Sequence, residues 1–317
     1  MPLRVQSQLA GGFGTSITVA PSGSLWLAST TNVANIWRGD SLLHTVRVSG
    51  YVDGRAEFNA DESAVAVGLW TIDTASGEAL RQIVEPKWLT ASLDRDDDVS
   101  PADFAVPMVV HVPGADRAAV TTEFQPSRLK GSSGRYPEPT AQALLVDLGA
   151  DEVVSELLHD ASRYRVLIDS SARVVAAVSH HDVRVWSATT GEPIASWTID
   201  ATADAIAVSP DSAAVAVLTS RGDVIVWAAD GETLSTWHVH DGTGAALAWD
   251  HSGGWIATGS RDGKLGVWDI TAGARPELIG TYATGSIGGL GVMPADGILI
   301  LAGDVVDQGM TILTLDT

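Results

Sequence analysis

The groups whose types and spacing could do chemistry lie close together late in the chain. His240 is followed by Ser260, Asp262 and Trp268, the last three within "GSRDGKLGVWD". A histidine, a serine and an acid are the parts of a hydrolytic triad, in which imidazole takes the hydroxyl proton and a carboxylate orients the ring. Such a nucleophile also needs access and an oxyanion hole, and spacing nominates neither. "SRLK", Ser127 to Lys130, satisfies the Ser-x-x-Lys pattern of penicillin-binding enzymes, but neither the helix start nor the further motifs those enzymes carry accompany it. Chance explains it better.

Metal chemistry is equally incomplete. "HVH" puts His238 and His240 on one side of a strand, and "SHHD" gathers His180, His181 and Asp182 in a hairpin. A metal site requires a third and fourth ligand, and no spacing supplies them; the second group reads as a solvated turn. "DRDDD", Asp94 to Asp98, lacks the central glycine and distal glutamate of an EF-hand calcium loop, so it reads as a charged loop. No phosphate loop or dinucleotide glycine pattern follows a strand. No metal and no cofactor is expected.

The elements that position these residues repeat. Trp186, Trp227 and Trp268 close the apolar runs "DVRVW", "DVIVW" and "KLGVW" and stand 41 residues apart. Within each period comes an alternating segment broken by a turn, "AIAVSPDSAAVAVLTS" and then "ALAWDHSGGWIATGS", the period-two pattern of strands with one buried face. Four short strands in about 40 residues make the blade of a β-propeller, and a lone blade cannot bury both faces. Several must stack in a ring.

The same spacing extends to both ends. "SITVAPSGSLWLASTTNVANIW" is a first unit closed by Trp37, and "AEFNADESAVAV" opens a second. Trp88 is expected to close that second unit, leaving about 11 extra residues between its second and third strands; Ile72-Asp73 is the rival position. A third unit runs "MVVHVPGADRAAVTTEF" and resumes at "AQALLVDLGADEVV", with Val146-Asp147 in the Trp-Asp place and an insertion of about 16 residues between. With a last unit from "GGLGVMPADGILILAG" through "MTILTLDT", the count is seven. That last unit lacks a fourth strand, while "LRVQSQL", residues 3–9, precedes the first unit without a blade of its own. The N-terminal segment is therefore expected to complete the last blade and remove an open edge. Residues 1–317 then form one all-β domain, a seven-bladed propeller of four-stranded antiparallel blades.

These residues resemble the WD-repeat family of seven-bladed propellers, and the sixth unit carries the resemblance best. There His240, Ser260, Asp262 and Trp268 match the family's buried hydrogen-bond network, which implies Trp268 on the third strand, Ser260 on the second, Asp262 in the hairpin between them and His240 in the loop entering the blade. Buried indole and imidazole N–H groups need acceptors, and a hydroxyl and a carboxylate supply them. By this resemblance the triad reading gives way to a structural clasp. Other units depart from it: the fifth has Thr219 and Arg221 at the serine and acid places, and the first has Ser29 and Thr31.

Composition narrows the function. The chain has 317 residues, 45% hydrophobic, and a formal charge of −20 from 19 basic and 39 acidic residues, which disfavours nucleic-acid backbones and anionic lipid as ligands. It has no cysteine, hence no thiolate chemistry. The start lacks a signal-peptide core, and no run reaches the roughly 18 apolar residues of a membrane helix; a cytoplasmic protein is expected. Abundant alanine beside three lysines, Lys87, Lys130 and Lys264, points to a high-GC bacterial genome.

Against that acidic background "SRLKGSSGRYPEP" is a local basic cluster, Arg128, Lys130 and Arg135 beside Tyr136. Arginine and tyrosine anchor protein interfaces, and loops on a rigid scaffold carry binding; a surface loop of Ser and Gly is the plainer alternative. The resemblance implies a non-catalytic scaffold or sensor subunit of a multi-protein system, binding protein partners through loops of the propeller face. Two alternatives stand beside it. A lactonase-like or hydrolase-like enzyme would need metal-binding acids in the central channel, where the inner segments read "AIAVS", "ALAWD" and "GLGVM" and Asp169 and Asp250 are the best acids. A glycan-binding propeller would use exposed tryptophans such as Trp26, Trp70 and Trp255.

Overall fold

The computed structural model describes residues 3–10, 16–30, 32–48, 56–84, 86–91, 104–124, 141–161, 166–179, 181–271, 276–283, 287–295, 297–304 and 309–315. Seven four-stranded antiparallel sheets follow one another along the chain. Blade one spans Ser16 to Arg47, blade two Glu57 to Gln82, blade three Phe104 to Ala161 and blade four Val166 to Thr198. Blade five spans Ala203 to His238, blade six Gly244 to Ala283, and blade seven Ile287 to Leu315 with Arg4–Ala10 as its outermost strand.

Burial explains the strand sequences. The second strand of blade five, Ala214–Thr219, is buried at every position because neighbouring blades cover both faces of the sheet; such strands read as continuous apolar runs. The fourth strands lie at the circumference, and Thr233–His238 alternates between exposed and half-buried positions. Inter-blade side-chain ties reinforce the packing. Ser171 donates to Ser212 at 2.8 Å, 41 residues on, Asp169 accepts the Val208 N–H at 2.7 Å, and Arg117 reaches the carbonyl of Ala188 at 3.2 Å.

The ring closes as the N-terminal segment predicts. Arg4–Ala10 pairs with Gly309–Leu315 in a register running from Arg4 opposite Thr314 to Ala10 opposite Gly309, with an irregularity between Val5 and Ser7. Leu3, just before it, is buried with Ala246, Leu265, Leu290 and Leu313, and its N–H donates to Thr281 of blade six at 3.1 Å. Pairing Arg4–Ala10 with Gly309–Leu315 covers the outer edge of the third strand of blade seven,.

Blade two corrects one expectation. Its strands are Glu57–Phe58, Ala64–Val67, Trp70–Asp73 and Ala79–Gln82, so Ile72-Asp73 holds the third-strand position and Gly68-Leu69 make a tight turn before it. Trp88 opens a four-residue helix, Trp88–Ala91, beyond the fourth strand. The extra residues therefore join blade two to blade three and do not interrupt blade two. Trp88 is 1% exposed and packs on Val109, Ala118, Val120, Leu144 and Val146 of blade three together with Leu69 and Ile83.

Candidate functional site

The first strands of all seven blades line a central cavity of about 910 Å³. Its wall is mostly apolar, with Ile17, Phe58, Ile168 and Ile206, and three carboxylates, Glu57, Asp169 and Asp204, interrupt it. Asp169 was legible as a channel acid from its place on a first strand. Its carboxylate serves as an inter-blade tie to the Val208 N–H. Asp250 is placed otherwise than expected: it caps the turn after the first strand of blade six, taking the N–H groups of Ser252 at 2.9 Å and Trp255 at 2.7 Å, and it does not line the cavity. Glu57 and Asp204 escaped the sequence reading, because a channel position is recognised only once strand order and facing are known. Among the described residues no group of three or more histidine and acid side chains is arranged to hold a metal.

The His240 region sits where blade five crosses to blade six. Ser260, at the end of the second strand of blade six, donates its hydroxyl to Asp262 and accepts the Lys264 N–H at 3.2 Å. Thr219 performs the second task in blade five, accepting the Asp223 N–H at 3.1 Å, so the hydroxyl at this position closes the second-to-third turn with or without an acid nearby. Asp262 is held below the usual carboxylate range, chiefly by the Ser260 hydroxyl, against partial burial and aided by Lys264. Trp268 donates its indole N–H to Thr258 at 3.0 Å, two residues inward from Ser260. The residue missed by spacing is thus Thr258, whose side chain shares a strand face with Ser260. His240 is 3% exposed and neither ring nitrogen has a hydrogen-bond partner.

Around it lies a charged surface. His238 meets Asp223 at 2.9 Å and Asp241 at 3.5 Å, and Lys264 bridges Asp241 at 3.6 Å and Asp262 at 3.5 Å. His181, the described histidine of the "SHHD" hairpin, faces the carbonyls of Ile199 and Ala201 at 3.1 and 3.2 Å, which makes it a local clamp; His180 lies outside the described residues.

Antiparallel order fixes which connections share a rim. The turns between second and third strands and the crossovers between blades emerge on one side of the ring, and the remaining turns on the other. The stretch 125–140 joins the second strand of blade three to its third, and 83–103 joins blade two to blade three. The two insertions consequently share a rim, although for blade two the connection is not the one expected. Arg128, Lys130, Arg135 and Tyr136, like "SRLK" and "DRDDD", lie outside the described residues.

The tryptophans named for glycan binding are placed differently. Trp26 is fully buried, stacked on Trp37 with ring centroids 5.0 Å apart and its N–H bonded to the Gly39 carbonyl at 2.8 Å. Trp70 and Trp255 are half-buried.

No protein-family model matches the sequence, and no curated protein matches it. Among solved structures, the chain is similar to the crystal structure of the Cps50 (Swd1) β-propeller domain of Myceliophteria thermophila, with a TM-score of 0.73, 12% identity, and coverage of 99% of this chain and 100% of that one. At that identity the likeness shows the propeller fold. No helix among the described residues is long and apolar enough to cross a membrane.

Proposed function

We propose that this propeller is a non-catalytic scaffold or sensor subunit of a multi-protein bacterial system, docking protein partners through the rim that carries the insertions 83–103 and 125–140. The observation that supports this most is the unequal length of the connections on one rigid ring: a closed propeller holds its loops at fixed relative positions, and here the two longest stretches between strands share one side. Part of the first, Lys87 to Leu89, packs against blade three, which leaves 125–140 as the stretch for partner contact. Its sequence holds Arg128, Lys130, Arg135 and Tyr136, a basic and aromatic group within an acidic chain, a composition suited to an acidic protein partner. Nucleic acid and membrane surfaces are unfavourable partners for a chain of charge −20,.

Deleting residues 127–137 leaves five residues to close the turn between Phe124 and Ala141, enough for a hairpin. The deletion variant is expected to unfold at the wild-type temperature and to lose the protein that co-purifies with the tagged wild type. Retained co-purification by the folded variant would remove this loop from the binding surface.

A further inference from the structure

We propose that the crossover from blade five to blade six, His238 to Gly242, is a protonation-sensitive latch, which His238 holds shut from the surface through Asp223 and Asp241 and the buried His240 releases on taking up a proton. The inference does not rest on the partner-binding reading, although the latch lies on the same rim.

The amides of Val239 and His240 both donate to the carbonyl of Gly222, at 2.8 and 3.2 Å, and the Arg261 amide donates to Thr243 at 3.2 Å. The segment is thus stitched to the second-to-third turns of both blades. The crossover from blade four to blade five is stitched in the same way, Ile199 donating to the His181 carbonyl and Ser220 to that of Thr202 at 2.8 Å; among the described residues the present crossover adds a second amide, that of His240, and the enclosed ring. Gly222 has φ +78°, and a Cβ there would lie 1.8 Å from the His240 carbonyl oxygen, so the fit admits no side chain. Beneath the stitching the His240 ring is enclosed without a hydrogen bond. A neutral ring survives there at moderate cost, whereas an imidazolium stripped of water and of hydrogen bonds does not.

Burial sets the direction for His240, and charged groups on the neighbouring elements adjust it. From blade six come Asp262, Arg261 and Lys264; from blade five come Asp223 and Arg221, the latter paired with Asp200 at 2.8 Å; the crossover adds His238 and Asp241. Asp262 is the nearest counter-charge, but Ser260 and Lys264 already engage it. Burial accordingly holds His240 below the usual imidazole value, opposed by Asp262, aided by Lys264 and His238, and opposed least by the Thr258 carbonyl, which lies near the ring outside good hydrogen-bond geometry. Its contribution to the latch is complete above about pH 6.5 and is lost as pH falls toward the lowered folded value. His238 moves the other way, raised by its bond to Asp223, against slight burial, and by Asp241. Its contribution is complete below about pH 6.5 and fades as pH rises through the raised value. The latch is therefore tightest near neutrality and opens in mild acid.

Hydrogen exchange of the folded chain tests this, with rates corrected for intrinsic exchange. From pH 7.5 to pH 5.5, protection of residues 239–243 is expected to fall several-fold while that of Val174–Ser179 in blade four holds. His240→Phe should abolish the fall, and His238→Gln should raise exchange of the crossover at pH 7.5 while keeping the acid response. Gly222→Ala should open the segment at both pH values. Should His240→Phe fail to fold, an NMR titration of the wild-type rings, assigned with His238→Gln, replaces it and should put His240 below and His238 above the free imidazole. Unchanged protection in the wild type, an acid response that survives His240→Phe, or a His240 titrating at or above free imidazole would overturn the proposal.

Discussion

Glu62 of blade two reaches back to Ser22 of blade one, taking its amide at 2.7 Å and its hydroxyl at 2.8 Å, with the Ser24 hydroxyl at 3.0 Å. It does so from a left-handed backbone, φ 59°, where Gly23 stands in blade one and Ser212, at φ 65°, in blade five. Both of these non-glycines make inter-blade bonds, so the strain is retained where the side chain ties two turns together. Burial pushes the Glu62 carboxyl up, but the bonds from Ser22 and Ser24 outweigh it and hold the group below its ordinary value. Its contribution is whole above the unfolded value of about 4.3 and is lost as pH falls through the folded one. Glu62→Ala should cost about 1 kcal/mol at pH 7 in urea unfolding, discounted for exposure, and the cost should shrink by pH 3.

The indole of Trp268 depends on Thr258. Thr258→Val keeps the shape and removes the acceptor, which should cost about 1 kcal/mol. Ser260→Ala should instead loosen the Asp262 turn. A double-mutant cycle with Trp268→Phe distinguishes the two: coupling is expected with Thr258→Val and absent with Ser260→Ala.

Trp88 is a plug between blades. Trp88→Ala should destabilise by about 3–5 kcal/mol, whereas Trp88→Phe should cost far less than that, because the indole N–H is buried without a partner and its removal relieves an unsatisfied donor. Guanidinium midpoints of the two variants check this.

His111 is a second buried imidazole, on the first strand of blade three. Its Nε2 lies 2.8 Å from the Gly68 carbonyl, so that nitrogen carries the proton. Burial holds the ring below the usual imidazole value, against the Gly68 carbonyl and Asp116, with Arg81 adding to the lowering. The neutral ring's contribution is complete above about pH 6.5 and is lost as pH falls. His111→Gln, which keeps a donor and does not titrate, should show a smaller drop in Tm between pH 7.5 and 5.5 than the wild type.

The ring was legible in the sequence because identical burial at each blade imposes identical patterns: the tryptophans at 186, 227 and 268 share the fifth position of their third strands, and the strands between them alternate. Blade two broke the ruler. Its strands are short, and a buried indole outside the repeat mimicked the one the repeat demands. The site was less legible. Spacing brought Ser260 and Asp262 together, as the structure does, but it could not show that Trp268 leans inward to Thr258, since both hydroxyls point to the same face of one strand. Nor could periodicity alone bury Trp26, whose stacking partner Trp37 sits on the neighbouring strand.

Locking of the first strand onto the last blade can be read directly, since the chain has no cysteine. Arg4 and Thr314 are direct partners across the closing pair, within the separation a disulfide spans. Arg4→Cys/Thr314→Cys, oxidised under dilute conditions, should form one intramolecular disulfide in nearly every molecule and raise the unfolding temperature, while Arg4→Cys paired with Ser196→Cys in blade four should form none. Free thiols in the first variant, or equal cross-linking in both, would contradict the closed ring.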